Sequence, residues 1–228
     1  AGMAMETIAR ELVPAGGESV KERKNKQENP LKINILGATP LDFSINSTLD
    51  SIKEFLSQHF EIISIFAMGS SIEDIQRAGE ADVNLVISSV GVLAAKVLEE
   101  RFHTPYVIGT PIIGFENVLA EKLIESAWTK KSQTAYFSVL QKAHKKDTAN
   151  FTTIQNTEAV SNLKKIRSLT ETIEKNKVSG NVYIIGESVI SQSLKAALAL
   201  RYGIEAAVIC PLETEPEYTE KDVLLLSS

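Results

Sequence analysis

From Val83 to Ala127 the chain alternates two kinds of apolar pattern: short continuous runs, and longer stretches in which apolar residues recur at helical spacing. Val83 to Ile87 is a continuous run suited to a strand buried on both faces, and Leu93, Val97, Leu98 and Phe102 then share one helical face. A short strand ending at Ile108 and a further helix through Ala127 follow. The pattern predicts a parallel β-α-β unit. Its turn, Ser88-Ser89-Val90-Gly91, falls at the carboxyl end of the first strand, the edge at which open α/β sheets bind their ligands.

The same rhythm extends upstream. A strand from Ile33 to Leu36 meets Gly37, and after a loop with Pro40 and Asp42 a helix from about Ser47 turns Leu49, Ile52, Phe55 and Leu56 inward. A strand over Glu61 to Ala67 leads through Gly69 into a short helix that Ser70 or Ser71 can cap. Four strands are thus reached by Ile108, all spaced by helices, as a doubly wound sheet requires. Between Ser132 and Asn176 the text turns polar, with one amphipathic stripe at Leu163, Ile166, Leu169 and Ile173. After Ser179-Gly180 the first pattern returns: INILG, helix and EIISIF are echoed by VYIIG, helix and EAAVIC. Asp222 to Ser228 adds a third strand with nothing after it to cover its faces.

The predicted fold class is therefore α/β, with two Rossmann-like doubly wound parallel-sheet domains, the second truncated at the C-terminus. Residues 1–30 read as a flexible leader, 31–130 as the first domain, 131–178 as connecting helices and 179–228 as the start of the second. Such an ending suggests a piece cut from a longer polypeptide.

Composition narrows the function classes. The 228 residues are 43% hydrophobic and 23% charged, enough for one good core or two small ones. No stretch approaches the roughly 20 apolar residues that span a bilayer, and the first 30 residues lack a signal-peptide core, so no membrane role and a cytoplasmic location are expected. A net charge of -5 and a pI near 5.4 argue against a nucleic-acid partner, and the run Lys21 to Lys26 reads as a solvated tether. A single cysteine, Cys210, excludes an internal disulfide and any cluster held by several cysteines of this chain.

The candidate chemistry gathers at one sheet edge. Ser88, Ser89 and Gly91 offer backbone N–H groups and hydroxyls at a helix start, suited either to an anion or cofactor edge or simply to capping the helix. Thr110 and Gly114 belong to the neighbouring loop on the same edge. Gly37-Ala38-Thr39-Pro40 lacks the spacing of a dinucleotide turn, so Gly37 reads as a tight-turn residue. His59, His103 and His144 have no Cys, Asp or Glu at ligand spacing, so no metal site is expected. Cys210 reads as a packed thiol, with no catalytic base recognisable for it in the sequence, and neither Ser89 nor Asp42 completes a triad with a histidine. No catalytic residue is assigned.

Together VNLVISS, the helix ending LEERFHTPY, and the loop leading into GFENVLAEKLIESA resemble the nitrogenase component 1 family. That family comprises molybdenum-iron protein subunits, cofactor-assembly scaffolds and related reductases of tetrapyrrole synthesis. Its matching pattern is a strand of the type LN(L/I)V, a ligand-bearing turn, a helix ending EE(K/R)(Y/F)GIP, and a glycine loop before a helix. INILGATPLDF and SGNVYIIGESVISQSLKAALALRYGIEAAVI fit its domain starts, so the resemblance covers residues 31–228.

The resemblance implies a component 1 oxidoreductase, an electron-accepting subunit or metallocofactor scaffold. Its partners would be a homologous component 1 subunit and an ATP-dependent iron-sulfur reductase. An iron-sulfur or other iron-containing cofactor would belong to the full-length protein and not to this piece, which should be catalytically inactive. In the catalytic relatives a cofactor-ligating cysteine closes the LN(L/I)V strand, where this chain has Ser88, a hard and poorly acidic donor unsuited to hold iron in that way. By the same resemblance Ser88, Ser89, Gly91, Thr110 and Gly114 would shape a cofactor pocket by hydrogen bonding. A non-redox binding module for a small anionic or tetrapyrrole-like ligand is the alternative, since fold does not fix function.

Overall fold

Leu31–Leu36 forms β1, Phe60–Ile65 β2, Val83–Val86 β3, Tyr106–Ile108 β4 and Gln133–Thr134 β5 in the computed structural model. It describes residues 1–15, 30–44, 48–144, 182–210, 219 and 224–225. The five strands pair in parallel in the order β2-β1-β3-β4-β5. Val83, Leu85 and Val86 are fully buried, as the unbroken apolar run requires for a central strand covered on both faces. Helices α2 (Pro40–Phe43) and α3 (Thr48–Ser57) connect β1 to β2, and α4 (Ile72–Gln76) connects β2 to β3. Next come α5 (Val92–Phe102) and α6 (Glu116–Thr129), after β3 and β4. Because β2 lies on one side of β1 while β3, β4 and β5 run the other way, the winding reverses between β1 and β3. That reversal is the point where sheets of this order open a crevice at their carboxyl edge.

Two features differ from the sequence expectation. Residues 2–11, assigned to a flexible leader, form the first helix, α1 (Gly2–Glu11), lying against α5. Met5, Ala9 and Val13 recur four apart and are buried in the main core, and the Arg101 guanidinium donates to the carbonyls of Ala9, Arg10 and Val13 at 2.6–2.8 Å. A cation on the last carbonyls of a helix is favourably placed. The second difference is β5, which extends the first sheet into the stretch assigned to connecting helices. It is followed by α7 (Ala135–His144), whose Ala135, Tyr136, Val139 and Leu140 join the same core. A two-residue strand of Gln and Thr leaves no apolar signature.

The second unit has a three-stranded parallel sheet in the order β6 (Val182–Ile185), β7 (Ala206–Cys210), β8 (Leu224–Leu225). Helix α8 (Ser188–Tyr202) crosses between β6 and β7 and ends at Gly203, whose φ of +65° suits a left-handed terminus. Val208, Cys210 and Ile184 pack together, while Tyr183 and Ile185 on the opposite face are 58% and 69% exposed. The predicted amphipathic stripe at Leu163 to Ile173 and the basic run at Lys21 to Lys26 lie outside the described residues. No described helix is long and apolar enough to cross a membrane.

Candidate functional site

At the reversal point the carboxyl ends of β1 and β3 meet with very little room between them. The Ser88 hydroxyl, fully buried, donates to the Gly37 carbonyl at 2.6 Å. Gly37 has a φ of +93°, and a Cβ there would stand 2.6 Å from the Ser88 oxygen. On the other side of the turn a Cβ on Gly91 would approach the Leu36 carbonyl carbon and Gly37 nitrogen to 2.7–2.8 Å. Both glycines are therefore dictated by close backbone approach. The turn Ser89–Gly91 makes a 3₁₀ step into α5, and the Gly91 N–H returns to the Ser88 carbonyl at 3.0 Å.

The remaining candidates face the second unit. Glu187 precedes α8 and uses one carboxylate oxygen to accept the Ile190 N–H at 2.8 Å, capping its own helix. Its other oxygen accepts the Ser89 N–H at 2.6 Å, across 98 residues of sequence. One carboxylate thus joins the starts of two helices, one in each unit. Burial pushes the Glu187 carboxyl above the usual carboxylate range, against the opposing pull of the Ile190, Ser89 and Val189 N–H groups. Nearby, the Thr110 N–H donates to the Ser193 hydroxyl at 2.9 Å, and that hydroxyl is oriented by donating to the Val189 carbonyl at 2.7 Å. The Thr110 hydroxyl itself donates to the Ile87 carbonyl at 2.8 Å. Gly114, with a φ of +96°, donates its N–H to the Glu116 carboxylate and lies against the Arg201 side chain of α8.

All five candidates thus lie on one edge, and α8 packs over it. The buried positions of α8 are mostly polar (Ser188, Ser191, Gln192, Ser193 and Lys195), and its buried apolar residues, Val189, Ala196 and Ala197, are small. Glu187 and Ser193 were not singled out from the sequence. Glu187 does stand three residues before Ile190 at the head of an apolar-periodic stretch, the position of a helix cap, but nothing local reveals its second partner.

The donor set does not fit an iron centre. Ser88 is committed to Gly37, and Cys210 is buried in the second sheet. Among the described residues no group of three or more His, Cys, Asp or Glu could hold a metal ion. His103 ends α5 in the left-handed region with a φ of +55°, and His59 packs edge-on to Phe55 and Phe60.

Residues 1–223 match the family described as nitrogenase component 1 type oxidoreductase. The chain belongs to that family. A light-independent protochlorophyllide reductase subunit of Leptolyngbya boryana is 36% identical over 89 residues, which is 38% of this chain and 17% of that relative. The corresponding protein of Rhodopseudomonas palustris (strain TIE-1) is 36% identical over 107 residues, 46% of this chain and 19% of that relative. This component 1 chain therefore matches less than a fifth of the length of either relative. A solved structure of nitrogenase Cp1 at pH 5 has the same fold, with a TM-score of 0.50 and 18% identity over 96% of this chain and 38% of that one.

Proposed function

We propose that this chain is the Rossmann-like part of a component 1 reductase subunit, in which the carboxyl edge of the first sheet faces a tetrapyrrole-type substrate. The observation that carries the reading is the Ser88 hydroxyl, which is committed to the Gly37 carbonyl at 2.6 Å at the position where, by the resemblance, the catalytic relatives would carry a cofactor-ligating cysteine. An edge built this way serves shape and hydrogen bonding. Similarity to light-independent protochlorophyllide reductases supports that substrate class. In the proposed pocket Ser88 and Gly91 hold the turn tight, Ser89 and Thr110 carry N–H groups that Glu187 and Ser193 occupy in this structure, and Gly114 lets the neighbouring backbone come close.

In the whole protein, electrons would arrive from an ATP-dependent iron-sulfur reductase, through iron-sulfur ligands supplied outside the described residues and by a homologous component 1 subunit. The 228-residue chain alone should be inactive. Anaerobic purification of the full-length protein with its partner subunit, followed by iron analysis, a visible spectrum and ATP-dependent reduction of protochlorophyllide, tests the reading. Bound iron and turnover are expected. A complex free of iron would sink the oxidoreductase assignment, and tetrapyrrole binding without iron or turnover would favour a non-redox binding module.

A further inference from the structure

We propose that α8 is a lid over the carboxyl edge of the first sheet, clasped by Glu187 on Ser89 and by Ser193 on Thr110, and that the second unit lifts to uncover that edge. Three observations converge on it. The two clasps join the ends of adjacent strands β3 and β4 to a single helix, at 2.6 and 2.9 Å. Both use backbone N–H groups of residues at the candidate site, so a ligand reaching those groups must displace α8 first. Five of the lid's eight buried positions are polar, and its contribution to the first unit's core is limited to Val189, Ala196 and Ala197 with the partly buried Ile190; inter-domain contacts of that mixed character open more readily than large apolar ones.

Glu187 suits a releasable clasp. A carboxylate held in a partly dry seam gains water when the seam opens, which offsets part of the two hydrogen bonds given up. Ser193 adds a neutral bond whose geometry is fixed by the Val189 carbonyl. If the two clasps close one lid, they are thermodynamically coupled, and weakening either frees both amides. If they are independent local bonds, each loss stays local.

The inference deepens the substrate-edge reading, yet its test needs no substrate. Amide hydrogen exchange is measured residue by residue on the 228-residue chain, in the original sequence, in Ser193→Ala and in Glu187→Ala. Ser193→Ala is expected to speed exchange at both Thr110 and Ser89 by a similar factor, roughly five- to tenfold for one neutral hydrogen bond. Glu187→Ala is expected to speed both by about tenfold or more, with the β1 amides of Ile33 and Ile35 unchanged. A rise confined to Thr110 in Ser193→Ala, and to Ser89 and Ile190 in Glu187→Ala, would overturn the lid. So would a rise that includes Ile33 and Ile35, because the edge would then open only by global unfolding. Failure of tetrapyrrole binding or turnover in the whole protein would leave these exchange rates untouched, so the two readings fall separately.

Discussion

Asn34 sits in the middle of β1 with none of its side chain exposed, and it is the hub of a polar network inside an apolar sheet. Its amide donates to the Asn84 carbonyl oxygen at 2.7 Å and to the Ala78 backbone carbonyl at 2.8 Å, while its own oxygen accepts the Ser64 hydroxyl at 2.7 Å. Three neighbouring strands are thereby fixed in register, with Asn34 opposite Asn84 and Ser64. Asn34→Leu strands several buried partners at roughly 1–3 kcal/mol each, so a loss of about 3 kcal/mol is expected as a lower urea midpoint at unchanged slope. Gly91→Ala should cost roughly 1–3 kcal/mol by the same measurement, because the added carbon meets rigid backbone of β1. Gly69→Ala, with open space around it but a φ of +85°, should lose only about 1 kcal/mol. Both asparagines are plain in INILG and VNLV. Their pairing was not legible, because register between strands 50 residues apart is a property of the sheet.

The elements that were legible carry their own signals. β1, β3 and β6 are short apolar runs bounded by turn residues, and α4 begins at Ser71, one of the two expected caps, with a reciprocal bond between Ser71 and Asp74. Ser70, the other candidate, instead accepts the Ile65 N–H at 2.8 Å and ties down the end of β2. The helix over Gly2–Glu11 was misread because its apolar stripe is thin and its stability comes from outside it. It depends on burial against α5 and on the Arg101 guanidinium at its carboxyl end. Arg101→Ala should therefore release this helix without melting the sheet, at a cost of about 1–2 kcal/mol for a partly exposed charge-assisted contact. The expected result is faster amide exchange at Met5 and Ala9 with β1 amides unaffected. Unchanged exchange at Met5 would show that burial alone holds the helix.

Across the molecule, two glutamates respond to pH in opposite senses, and the seam between the units is where this shows. Glu80 is held below the usual carboxylate range, first by the Arg77 guanidinium at 3.0 Å and then by the Lys32 ammonium at 3.1 Å. Its contribution is present above the unfolded carboxylate pKa and lost as pH falls through its lowered value. Glu187 is raised by burial, and no charged side chain is among the causes of its shift: they are burial itself and the N–H groups of Ile190, Ser89 and Val189 with the Ser89 hydroxyl. The folded chain therefore holds the Glu187 proton more tightly than the unfolded chain. Its burial penalty is absent below the ordinary value of 4.5 and grows as pH rises from there to its raised pKa, so this group makes the native arrangement less stable with rising pH. Urea unfolding between about pH 3 and about pH 7 at constant ionic strength separates the two groups, Glu80 in the part of the range below its ordinary value and Glu187 in the part above. The stability of Glu187→Gln minus that of the original chain should rise with pH, because only the original carries the penalty. For Glu80→Gln the same difference should fall with pH, and added salt should shrink it, since that carboxylate meets its partners near solvent. Parallel curves for Glu187→Gln and the original chain would mean that the N–H groups of Ile190, Ser89 and Val189, with any water in the seam, offset the burial penalty in full.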